Sequence, residues 1–224
     1  LEQGYCEYQG EFVQQPRADI RPAPFKTFKG RTYAAAVSPE SVAIMAKLGV
    51  GLLVVPQKPW DQVEKEVADY NAVYRQLHGT APPAPIIAGW TLCHPDRDTA
   101  HELARRWIGG YWQTVLDHYR FHEDHLKGQK GYEYYGQFAS KIQKGGVDNA
   151  IDYFMSLQVW GTPEMCFDTI VRNAERIGAE GFIGIFSYAG MPIAEAERSM
   201  RLFARDVMPR LQARQVTGLI DWAA

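Results

Sequence analysis

Two serines three residues apart open the chemistry of this chain. They lie in the stretch RTYAAAVSPESVAIMAKLG, from Arg31 to Gly49. Its small, apolar start, Thr32–Val37, reads as a short buried strand that passes at once into a helix over Pro39–Leu48. Ser38 takes the N-cap position and Pro39 the first helical position, where proline's missing N–H is no loss. The backbone N–H groups of Glu40, Ser41 and Val42 then point out of the helix start, with the Ser38 and Ser41 hydroxyls beside them. A strand feeding directly into an open helix N-terminus suits a phosphate. The plainer reading is that SPES merely caps the helix, and Glu40 sets a negative charge where an anion would come.

Other clusters are weaker. His118, His122 and His125 are spaced by four and three residues on one predicted helix. The order His122-Glu123-Asp124-His125 is not the H-E-x-x-H of a zinc helix, and no cysteine cluster joins it, so no metal is expected. The histidines read instead as a polar helix face, or as a substrate pocket in which His118 and His125 join Tyr132 and Tyr134 of an aromatic cluster and Tyr188 of a later loop. The stretch KGQKG, Lys127–Gly131, lacks the spacing of a phosphate-binding P-loop and does not follow a strand. It reads as a flexible loop, suited to a lid. Cys93 ends a strand with no base beside it and reads as a packed thiol.

The elements that position these residues alternate. After the first strand–helix unit, Gly51–Val55 is a second apolar strand, stopped by Pro56 and Pro59. Trp60, Val63, Val67, Tyr70 and Leu77 then recur at helical spacing. A third strand, Ile86–Leu92, precedes a long helix capped by Asp96 or Asp98 and running to about His125. Two shorter helical pieces divided by Gly145-Gly146 follow. Thr162 and Pro163 start another helix, which runs to Ile177 and leads to a fourth strand, Phe182–Ser187. A last helix carries Ala196, Met200, Phe203, Val207 and Leu211 in one stripe, with Pro209 kinking or ending it. Continuous apolar strands separated by amphipathic helices predict a parallel sheet, whose ligand site lies at the carboxyl ends of the strands. Residues 1–30, with Pro16, Pro22 and Pro24, read as an irregular connecting segment.

With 224 residues, 46% hydrophobic and 22% charged, the chain has ample core-forming residues, and a net charge of −2 argues against nucleic acid or anionic membrane as a partner. No apolar run approaches the length of a membrane span. Cys6, Cys93 and Cys166 are odd in number and far apart, which fits a reducing compartment and a cytoplasmic protein.

Three features together carry a resemblance: the SPES unit, the helix start Gly161-Thr162-Pro163-Glu164, and the closing block GAEGFIGIFSYAGMPIAEAERSMRLFARDVMPRL. Over about Gly10–Leu211 the chain resembles the luciferase-like, flavin-dependent monooxygenases. The resemblance implies a (β/α)8 TIM-type barrel that binds reduced FMN, or a deazaflavin in some branches, and oxidises a small organic substrate with O2. It places the flavin phosphate at Ser38 and Ser41. Val37 stands where the family often has an acid, so its contact would be through the main chain alone. The four strands correspond to the last four β/α units, residues 31–213, and the whole chain reads as one domain equal to the C-terminal half of the barrel. The catalytic residues are expected in the other half. The implied partners are a flavin reductase as electron supplier and a second subunit, either as a homodimer or as the complementary barrel half. The alternatives are a deazaflavin-dependent oxidoreductase on the same barrel and a non-catalytic flavin-binding subunit.

Overall fold

The computed structural model describes residues 2–36, 38–121, 123–129 and 132–214, with the side chains of Pro39 and Tyr134 left aside. Val37, His122, Lys130 and Gly131 lie outside the described residues. The chain opens with an antiparallel ribbon, β1 (Tyr5–Gln9) and β2 (Gln14–Asp19), where the sequence reading had an irregular connection. Pro16 is tolerated because a two-stranded ribbon has an outer edge that needs no N–H donor.

The main sheet is parallel throughout. β3 (Tyr33–Ala35) pairs with β4 (Gly51–Val54), β4 with the first residues of β5 (Ile86–Cys93), and β7 (Gly181–Ile185) with β5 along Ile86–Trp90. These are the four expected strands, with β3 and β4 shorter than expected, β5 extended to Cys93, and β7 running from Gly181 to Ile185. A fifth, β6 (Val159–Gly161), pairs with Thr91–Cys93. Three residues are too few to show a period of two, so β6 was not legible in the sequence. Gln158, just before it, is buried, and its side chain bridges the loop after β4 and the middle of β5. Its Nε2 donates to the Pro56 carbonyl at 3.0 Å, and its Oε1 accepts from the Trp90 N–H at 3.2 Å. The bridge falls just beyond Ile87, where the ladder between β4 and β5 stops.

β5 is buried on both faces, which explains its unbroken apolar run. Ile87 packs with Val42 and Ala46 of α1 (Pro39–Leu48) and with Val63, Val67 and Tyr70 of α2 (Trp60–His78). Trp90 and Leu92, on the opposite face, pack against α3 (Arg97–Ala104), a π-helical segment (Arg105–Gly109), α4 (Gly110–His118), α5 (Glu133–Gly145) and α6 (Val147–Ser156). Cys93 shares the face of Ile87 and meets Cys166 and Ile170 of α7 (Pro163–Ile177) and Phe203 of α8 (Ile193–Asp206).

Caps explain most helix limits. The Ser38 and Asp96 side chains accept from the N–H three residues on, as does Thr162. Gly49 closes α1 at φ 69°, a left-handed conformation that glycine adopts without strain. The long helix expected to reach His125 ends at His118. Arg120 turns left-handed at φ 52°, and the Phe121 N–H reaches back to the Leu116 carbonyl at 3.1 Å. Pro209 lies in a short separate helix, α9 (Met208–Gln212). Among the described residues no helix is long and apolar enough to cross a membrane.

Candidate functional site

The carboxyl ends of β3 and β4 open into a cleft of about 910 Å3. Ser38, Glu40 and Ser41 form one end, and Gln57 of the loop after β4 forms part of the floor. The opposite wall is aromatic. It comprises Tyr111, Trp112 and Val115 of α4, Tyr119, Phe121 and Leu126 of the following turn, and Tyr132, Tyr135 and Phe138 around the start of α5.

The serine end is ordered by its own hydrogen bonds. The hydroxyls of Ser38 and Ser41 lie 3.0 Å apart, and the Ser41 N–H donates to Ser38 Oγ at 3.3 Å. The Val42 N–H donates to the Ser38 carbonyl at 3.1 Å. Of the three N–H groups expected to face outward, two are thus engaged within the turn, leaving that of Glu40. One N–H, two hydroxyls that can rotate, and the positive end of α1 make a donor set of the right type for a phosphate. Among the described residues the cleft wall carries no lysine or arginine, and it carries two carboxylates, Glu40 and Glu133. The nearby Lys58 is buried, and its Nζ sits 2.8 Å from both oxygens of Glu66. Its charge is committed to that pair.

On the aromatic wall, burial pushes the Tyr111 phenol above its ordinary pKa, with Tyr119 adding to the effect. The phenol stays protonated and able to donate. The wall is backed by stacked rings: Trp112 lies parallel to Phe154 at 4.1 Å, and Trp90 meets Tyr111 at 4.4 Å.

The structure brings Ser38, Ser41 and Tyr132 to one cleft. His118 and His125 are exposed and lie outside its wall. His118 is turned outward at the end of α4, where its ring packs edge-on to Tyr119. Tyr188 is buried away from the cleft, with its hydroxyl donating to the Thr91 carbonyl at 3.1 Å, and burial holds its pKa far above the usual phenol range. The expected contacts of Val37 and of the Tyr134 side chain lie outside the described residues, as does His122. Among the described residues no group of three His, Cys, Asp or Glu is placed to hold a metal. Exhaustive dialysis against a strong chelator is therefore expected to leave the melting temperature unchanged. A fall of several degrees, restored by zinc, would contradict this.

The residues missed in the sequence are mainly those of α4. Tyr111 and Val115 recur at helical spacing, a pattern that signals core packing alone, yet Tyr111 serves core and cleft together. Cys93 is indeed a packed thiol, in contact with Cys166 in the core.

The sequence profile of the family described as luciferase-like monooxygenase matches residues 1–181. The chain belongs to this family. Among its luciferase-like relatives, the alkanal monooxygenase alpha chain of Photorhabdus laumondii is 24% identical over 219 residues, covering 96% of this chain and 60% of the relative. The 5,10-methylenetetrahydromethanopterin reductase of Archaeoglobus fulgidus is 26% identical over 217 residues, covering 92% of this chain and 61% of its own. The chain thus spans about 60% of the length of the curated relatives it matches. Among solved structures, the FMN-bound oxygenating constituent of 3,6-diketocamphane monooxygenase from Pseudomonas putida aligns with a TM-score of 0.59 at 15% identity, over 92% of this chain and 58% of that one. The coenzyme F420-dependent tetrahydromethanopterin reductase of Methanopyrus kandleri aligns with a TM-score of 0.56 at 21% identity, again over 92% and 58%. The luciferase-like chain shares their α/β fold of parallel sheet and helices.

Proposed function

We propose that the cleft binds the phosphate and ring system of FMN, and that the protein is a flavin-dependent monooxygenase acting on a small, largely apolar organic substrate. The observation that carries this is the joining of the Ser38–Ser41 helix start and the aromatic wall of α4 in one cavity at the strand ends. A bound reduced flavin supplies the electrons with which O2 oxygenates the substrate. This chain's residues supply the surroundings. Ser38, Ser41 and the Glu40 N–H hold the phosphate. Tyr111, Trp112 and Tyr119 give flat surfaces against which a ring can lie, and the apolar wall excludes water. The cation that a phosphate dianion normally requires would come from outside the described wall. Chain segments such as the other part of a (β/α)8 barrel, with this chain contributing its last four β/α units, would supply it together with the catalytic groups.

Replacing Ser38 and Ser41 together by alanine is expected to weaken FMN binding by about 1–3 kcal/mol, the scale of hydrogen bonds to a charged group. Riboflavin, lacking the phosphate, should be almost unaffected when both ligands are titrated by flavin fluorescence. Equal losses for the two would mean that the serines only cap α1.

A second reading is a deazaflavin-dependent hydride transfer on the same barrel. The likeness to the Archaeoglobus and Methanopyrus reductases favours it. Turnover that continues without oxygen would select it over the monooxygenase.

A further inference from the structure

Beside the cleft lies a second, smaller cavity of about 340 Å3, bounded by the start of α2 and by α5 and α6. Gln57 and Phe138 line both spaces, so the two adjoin at those side chains. Their charges are opposite. Among the described residues the cleft wall carries Glu40 and Glu133 and no cation, whereas the smaller cavity carries Lys58 and Lys141 and no carboxylate. Lys58 is held by Glu66. Lys141 is exposed and has no ion pair or hydrogen bond among the described residues. Four carboxamides, Gln57, Gln62, Gln137 and Asn149, share the lining. Gln62 Nε2 is engaged by Glu66 at 3.2 Å and Asn149 Nδ2 by the Gly145 carbonyl at 2.6 Å. Those of Gln57 and Gln137 make no hydrogen bond among the described residues. The Gln57 amide is accessible, so a ligand atom can reach it. Pro59, Ile142 and Ala150 add an apolar floor. A space of this size suits one end of a ligand rather than a whole one.

We propose that this cavity is the subsite for the carboxylate end of an amphipathic organic substrate, whose apolar body passes Gln57 and Phe138 into the cleft. This rests on the reading of the cleft as the flavin and substrate site. The Lys141 ammonium carries three donors and no acceptor, and the carboxamide N–H groups add further donors for carboxylate oxygens. With no acid in the lining, nothing there repels an anion. One unpaired ammonium balances one negative charge, which suits a carboxylate and leaves a phosphate dianion undercompensated. The apolar floor lowers the local dielectric and strengthens the pairing. The two cavities also orient the substrate. Its charged end is repelled by Glu40 and Glu133 and drawn to Lys141, so the uncharged end is left in the cleft.

The test uses the full-length protein and the ω-phenylalkanoates from 3-phenylpropanoate to 8-phenyloctanoate, each compared with its uncharged primary amide by calorimetric titration. The carboxylates should bind about tenfold more tightly than their amides, the size of one hydrogen bond to a charged group. Lys141→Gln should erase that preference and leave the amides unchanged, while Lys141→Arg retains it. Lys144→Gln, on the same helix but outside the cavity, should have no effect. Binding by no member of the series, or a preference that survives Lys141→Gln, would overturn the proposal. So would a preference lost in Ser38→Ala with Ser41→Ala, which would put the carboxylate at the start of α1. With FMN bound, the longer carboxylates should shift the flavin absorption spectrum as the phenyl ring reaches the cleft. No shift at any length would show that the cavity does not feed the cleft, and would also overturn it. Failure of the flavin reading itself appears separately, as an unsubstituted protein that does not bind FMN. The titrations without flavin still decide the role of Lys141 in that case.

Discussion

Phe154→Ala is expected to destabilise the protein by about 3–5 kcal/mol, the range for truncating a buried aromatic ring. Phe154 is 1% exposed and stands at the centre of an aromatic group, stacked on Trp112 at 4.1 Å and edge-on to Trp90 at 5.3 Å. It comes from α6, whereas Trp112 is on α4 and Trp90 on β5. Truncation therefore loosens three elements, and no single neighbour can collapse into the space. The same change should blunt ligand binding, because Trp112 and Tyr111 form the cleft wall that Phe154 supports. Chemical denaturation with a matched Phe154→Leu control reads the stability. A loss under about 1 kcal/mol for alanine would mean that the aromatic group is loosely packed.

The second large effect concerns association. Among the described residues β3 pairs only with β4, and β6 and β7 each only with β5, so β3 and β7 both leave a side open. Neither edge strand carries a lysine or proline, and Ile183 in β7 is 47% exposed. Unpaired N–H and C=O groups beside exposed apolar side chains invite strand pairing with another chain. A barrel has no such edges, because each strand pairs with the next around the circle. The 224-residue polypeptide alone is accordingly expected to self-associate, and to become monodisperse when the N-terminal half of a luciferase-like barrel is supplied in trans. Sedimentation velocity over a dilution series measures this directly. A cooperatively melting monomer at every concentration would mean that β3 and β7 are not barrel strands awaiting neighbours.

The alternation of apolar strands with amphipathic helices was legible because β5 is covered on both faces and β4 nearly so, and continuous burial leaves a continuous apolar run. The caps at Ser38, Asp96 and Thr162 were legible because each depends on a side chain three residues from its donor. β6 was not, since its three residues owe their conformation to Thr91–Cys93, far away in the sequence. The ribbon of β1 and β2 was hidden by its prolines and exposed side chains, which give no alternating pattern. At the site, the serine end could be read from local order. The aromatic wall could not, because Tyr111 and Trp112 fall on a helical stripe that serves core and cavity at once. His118 and His125 misled for a related reason: their spacing presumed a helix that Arg120 ends.

Gln158 has a mechanical consequence beyond its hydrogen bonds. One rigid amide holds both the Pro56 carbonyl, at the root of the loop that carries Gln57 into the cleft, and the Trp90 N–H, in the strand behind the aromatic wall. The floor and the back of the cavity are therefore pinned to a common strut. A ligand that pushed the Gln57 loop outward would strain the strut at its other end, so the cavity resists being widened from one side only. Its width is set by a side chain that no ligand needs to touch.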